Sequence, residues 1–237
     1  MTRTMNARIA GFTFLFYIGA GILSMVLSGW ATHGEGTAAR LASMAQHPAT
    51  VGVVVVLVLL QGFSALVLAA TLYAITREED ADLAMLGLIC RVVEGVLAAV
   101  VVSRTLGLLW LSTAAGTQGL DTGPAQALAG FLFQAGTWSP VLGGAFFAVG
   151  SAVFSYLLLR GRMIPVPLAV LGVVASALLV VGLPLRLAGF LHGPVTWFMW
   201  LPMAAFEVPL AFWLLVKGVR VSSVHAAPPH GPQFTEA

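Results

Sequence analysis

The chain has 237 residues, 59% of them hydrophobic and 8% charged, with a net charge of +2 at pH 7. A water-soluble domain carries about 25% charged residues, so a globule of this composition could not cover its surface with polar groups, and lipid must face much of it. With no basic run and no interleaving of basic and aromatic residues, the chain gives no reason to expect a nucleic-acid partner.

The first apolar run, 9–30, follows Arg3 and Arg8. It is longer than the apolar core of a secretory leader, about 7–15 residues, and lacks a small-x-small cleavage site, which predicts an uncleaved first span. Residues 31–50 are polar enough to leave the bilayer. Within them 37–46 predicts a short surface helix with Thr37 as N-cap and Pro48 as its stop. The second span is 51–76. Its opening VGVVVVLVLL would read as strand in water, but a lone strand in hydrocarbon leaves its backbone unsatisfied, so helix is expected. REEDAD, 77–82, must be a wet turn, and the third span, 83–111, carries Arg91, Glu94 and Arg104.

The run 116–124 is turn-like. The apolar piece AQALAGFLFQ after it is too short to cross a bilayer at about 1.5 Å per residue, so an interfacial or re-entrant helix is predicted, with a break at GTWSP, 136–140. The fourth span is then 141–159. A basic link, RGRMIP, leads to the fifth, 166–191, entered through Pro167. The sixth, 197–216, is followed by Lys217 and Arg220, and the Pro/His-rich tail 222–237 reads as disordered. The fold class is therefore all-α: one transmembrane bundle, 1–221, of about six spans. Arg3, Arg8, Arg77, Arg160, Arg162, Lys217 and Arg220 fall on one side, and the opposite loops hold only Arg40, which predicts both ends inside. Trp30, Trp110, Trp138 and Trp197 then lie near the outer interface, where indole rings sit well.

Ionisable groups within the bilayer carry the functional information, since each costs about 2.5–3.5 kcal/mol near a helix centre even on the lenient scale. Arg91 and Glu94, three apart, share a helix face. Counting the rise along the helices puts Glu94 and Glu207 at similar depth. Arg91, with its forked donors, is expected to bridge both carboxylates, making the third and sixth spans neighbours. The cluster reads first as a device that pins helix packing, and alternatively as a site that handles a proton, an ion or a polar substrate. Secondary candidates are Arg186 near the outer end of the fifth span, Gln61 as hydrogen-bonding glue, and Lys217. Pro202 and Pro209 bracket Glu207 and suggest a kink. Gly144, Ala148 and Ser151 on one face of the fourth span read as close packing.

Cys90 stands alone inside the third span, so it forms neither an internal disulfide nor a cysteine metal site. The loop residues His33, Glu35, His47, Asp121 and His192 lack tight ligand spacing, so no metal and no cofactor is assigned. HExxH, a phosphate-cradling Gly-rich loop and GxSxG are all missing, and the balance leans away from an enzyme.

ARIAGFTFLFYIGAGI at the start, RVVEG in the third span, GAFFAVGSAVFSYLLLR, RGRMIPVPLAVLGVV and PMAAFEVPLAFWLLVKG together resemble the bacterial membrane proteins grouped as domain of unknown function 4386. The resemblance covers Ala7 to about Gly218, and Arg91, Glu94, Glu207 and Lys217 match the family's polar pattern. It implies a multi-pass protein of a bacterial plasma membrane, with lipids as its surroundings and no particular activity. A transporter using Glu94 and Glu207 and, last, an enzyme acting on a lipid or quinone stand as alternatives to a structural role.

Overall fold

A computed structural model describes the backbone of residues 2–117 and 122–220; the tail 222–237 and part of the turn-like run 116–124 lie outside the described residues. Among the described residues the chain is all-helical. In chain order the helices are α1 (Arg3–Ala31), α2 (Gly36–Gln46), α3 (Pro48–Thr76), α4 (Ala81–Thr117), α5 (Thr122–Arg160), α6 (Val166–Leu187), α7 (Val195–Phe198) and α8 (Leu201–Val216). Six segments are long and apolar enough to cross a membrane: Arg3–Ala31, Pro48–Thr76, Ala81–Ala114, Gly123–Arg160, Val166–Leu187 and Val195–Val216. The chain is a multi-pass membrane protein. Phe12, Val56, Phe63, Val96, Val174 and Val181 are exposed on the outside of the bundle, apolar surface that suits acyl chains rather than water.

The spans form a closed ring. α1 packs on α3, α3 on α4, α4 on α5, α5 on α6, α6 on α8, and α8 returns to α1. Closure relies on a close backbone approach: a Cβ at Gly11 would lie 2.6 Å from both the Ala211 carbonyl oxygen and the Leu215 nitrogen. A small residue at that crossing lets first and last helices meet. In this ring α4 and α8 stand opposite each other, not side by side as the charge pairing suggested.

The two ends of the ring differ. At the end bearing the termini, Ala7, Ala10, Leu72, Ile75, Leu157, Leu158, Met163 and Leu214 form a dense core. Ion pairs latch this end. Arg3 binds Glu78 at 3.1 Å and donates to the Ile75 carbonyl at 3.0 Å, and Arg160 binds Asp80 at 3.2 Å. Asp80 also caps α4, accepting from the Leu83 N–H. At the other end, α2 lies across α4 and α5 over a smaller cluster of Ala31, Leu41, Met44, Leu108 and Phe133. Trp30, Trp110, Trp138 and Trp197 are exposed toward this end.

Four local expectations are corrected. The break at GTWSP does not occur: α5 runs unbroken for 39 residues with Pro140 inside it. Pro140 removes one N–H and so deprives the Gly136 carbonyl of its helical donor, a single loss that a helix in hydrocarbon sustains because a full break would free more backbone groups. Thr37 does not cap α2, which starts one residue earlier with Glu35 at the cap position and no side-chain cap bond. The fifth span ends at Leu187 rather than 191, in a turn that reverses at Gly189 with φ +81°. Pro202 sits in the first turn of α8, where it costs nothing, and only Pro209 is internal.

Candidate functional site

The open half of the ring holds a cavity of about 740 Å³ to which every span contributes. Its floor is ionic. Arg91 is 1% exposed, Glu207 6% and Glu94 8%. Arg91 Nη1 donates to Glu94 Oε2 at 2.8 Å, and the Tyr17 hydroxyl donates to Glu94 Oε1 at 2.6 Å. Both oxygens of Glu94 are thereby engaged, one by a cation and one by a neutral donor. The remaining face of the guanidinium is packed by aromatic rings, with its carbon 4.8 Å from the Phe147 centroid, 5.7 Å from Tyr17 and 5.9 Å from Phe14, a geometry in which ring quadrupoles attract the cation. Its stem runs close to Gly150, where a Cβ would sit 3.0 Å from Arg91 Cγ.

Glu207 reaches the same floor from α8, across the ring axis. It lies close enough to Arg91 and Glu94 to interact electrostatically, but Arg91 does not bridge the two carboxylates. The forked donor is committed to Glu94, while Arg91 Nε and Nη2 and Glu207 Oε1 are buried without a hydrogen-bond partner among the described residues. Below Arg91 the axis narrows to a void of about 10 Å³ bordered by Phe14, Ser151, Ser155 and Phe206. Arg91 with its aromatic neighbours thus separates the open cavity from the packed end.

Higher in the cavity the polar groups change sign. Arg104, ten residues beyond Glu94 and so about 15 Å further along α4, lines the wall, as does Arg186 from the last turn of α6. Arg104 Nη1 donates to the Leu132 carbonyl at 3.4 Å, and its Nε has no partner among the described residues. Arg40 stacks on the Phe133 ring at 3.9 Å and lies close enough to Arg104 to repel it. Gln61 borders the cavity and donates to the Tyr17 carbonyl at 3.4 Å, the cross-helix role its residue type suggested. Lys217 is exposed at the far end, remote from the floor. His33 and His47 face each other at 6.2 Å beside Trp30. No group of three or more metal-ligating side chains occurs among the described residues, and Asp121 is outside them.

The structure thus brings Arg91, Glu94 and Glu207 together and puts Arg186 on the cavity wall, and it adds Tyr17, Phe147 and the neighbouring Arg40 and Arg104, which the sequence did not single out together. Tyr17 carried a usable signal. Counted from Arg3 it lies about 21 Å into α1, and Glu94 counted from Ala81 lies about 20 Å into α4; a hydroxyl that deep in hydrocarbon needs a partner.

Comparison with curated proteins and with solved structures finds no match. The family model described as a domain of unknown function (DUF4386) matches residues 9–218, a stretch that takes in most of the first span, the other five whole, and Tyr17, Arg91, Glu94 and Glu207. The chain belongs to this DUF4386 family.

Proposed function

We propose that the protein is a small secondary carrier of a bacterial plasma membrane, and that Glu207 is the group that takes up a proton or a monovalent cation from the cavity. The observation that carries this reading is the cavity itself: it reaches both Glu94 and Glu207, and the buried Glu207 Oε1 is unpartnered. Counting formal charges, Arg91 offsets Glu94, which leaves the carboxylate of Glu207 one positive charge short. A buried carboxylate in that position is stabilised by protonation or by a bound cation. The Tyr17–Arg91–Glu94 unit, with both Glu94 oxygens engaged and the guanidinium boxed by rings, serves as the fixed frame, so the packing role expected of the cluster belongs to three residues and the working role to a fourth. The basic residues around the termini put that end inside by the positive-inside rule, and the cavity then faces outward.

The test is infrared spectroscopy of the purified protein during a pH titration. The wild type is expected to show a protonated-carboxyl stretch that appears and disappears with bath pH. Glu207→Gln should lose that band and remain folded. An unchanged band in Glu207→Gln contradicts the assignment.

A further inference from the structure

The upper cavity has the opposite electrostatic character to its floor. Arg104 and Arg186 both line it, and Arg40 stands beside Arg104. The ion pairs among the described residues are Arg3–Glu78, Arg91–Glu94 and Arg160–Asp80, so none of these three arginines has an acidic partner there. Arg40 and Arg104 lie close enough to repel each other, and an anion between them relieves that repulsion. Arg104 is set up to receive one. Its guanidinium lies over Gly136, where a Cβ would fall 2.5 Å from Nη1, and among the described residues one weak carbonyl contact at 3.4 Å occupies its fork. Below the arginines the walls are mostly apolar, with Ile18, Val54, Val58, Leu97 and Val101 among the lining residues. The volume of about 740 Å³ falls within the range of small-molecule sites, about 300–1,000 Å³.

We propose that Arg104 binds the carboxylate of a small organic acid whose apolar body lies against the aliphatic wall between Arg104 and Glu207. This rests on the carrier reading of the same cavity and names its cargo. A planar carboxylate matches the guanidinium fork, and the aliphatic wall favours an acid with a hydrocarbon body over a strongly hydrated inorganic anion.

The test uses protein in nanodiscs of phosphatidylcholine, with thermal unfolding as the readout and hexanoate and benzoate as probes. Both acids should raise the unfolding midpoint, and hexanol, which shares the chain without the charge, should not. Arg104→Gln should weaken the apparent affinity by roughly tenfold or more, about the worth of a charge-assisted hydrogen bond. Arg104→Lys should recover only part of it, because the charge returns without the fork. Glu207→Gln should keep the acid-induced shift. That variant separates the two readings: loss of the pH-dependent carboxyl band tests Glu207, whereas retention of hexanoate binding tests the arginines. Absence of a shift with either acid, an equal shift with hexanol, or an undiminished shift in both Arg104 variants overturns the proposal. An anionic lipid headgroup offers related chemistry. If phosphatidylglycerol discs stabilise the wild type through Arg104 and the acids add nothing, the arginines hold lipid and the proposal is likewise overturned.

Discussion

Glu94 is the residue on which the floor depends. Its oxygens accept from Tyr17 at 2.6 Å and from Arg91 at 2.8 Å, so each donor can be removed separately. Tyr17→Phe keeps the ring over Arg91 and deletes one hydrogen bond to a charged acceptor. It should lower stability by about 1.5–3 kcal/mol, read by thermal unfolding in detergent. Arg91→Met leaves two carboxylates buried without a cation and should cost about 3–5 kcal/mol. Adding Glu94→Met to it should recover part of that loss, because the orphaned charge leaves with its partner. A double mutant no more stable than Arg91→Met alone contradicts the view that these two form a compensated pair. The charged residues were legible in the sequence because an ion inside a hydrophobic run is conspicuous. Tyr17 was not, since a tyrosine in such a run reads equally well as an interfacial anchor until its depth is counted. That Glu207 Oε1 has no hydrogen-bond partner among the described residues was not legible at all, because the direction of one guanidinium decides it.

Among the elements, the six apolar spans were readable from hydropathy, though α1 begins at Arg3 rather than 9 and α4 continues to Thr117 rather than 111. The largest departure is α5. In water GTWSP is a persuasive break, but in hydrocarbon a helix has no cheaper alternative, and α5 continues through Pro140. Charge complementarity between spans does not imply adjacency: α4 and α8 are not neighbours in the ring. Long side chains meeting at the axis of a ring link helices that stand opposite, as Arg91 and Glu94 on α4 meet the field of Glu207 on α8. Adjacency follows instead from small residues, with Gly11 at the α1–α8 crossing as the plainest case. Gly11→Ala should force that crossing apart and cost about 1–3 kcal/mol, the usual range for overpacking. Asp80→Asn removes an ion pair whose partners are 30% and 48% exposed, and should cost about 1 kcal/mol or less. If unfolding measurements reverse that order, closure of the ring does not rest on the α1–α8 contact.

As a whole, the molecule is an asymmetric ring, packed and latched at the end with the termini and open at the end with α2. Nothing in the one-dimensional pattern distinguishes these ends except the tryptophans and the bias of Lys and Arg, because a cavity arises from how six faces meet. The proposed carrier function depends on that asymmetry: water must reach Glu207 from one membrane face and stop at Arg91. Single cysteines in a Cys90→Ala background measure this directly with a membrane-impermeant thiol reagent applied to intact cells. Ser139→Cys, on the cavity wall, should label from outside, while Ser155→Cys, 1% exposed beside the narrow void below Arg91, should stay protected until the membrane protein is denatured. Protection of Ser139→Cys, or equal labelling of both positions, would contradict a one-sided aqueous route to the buried acid.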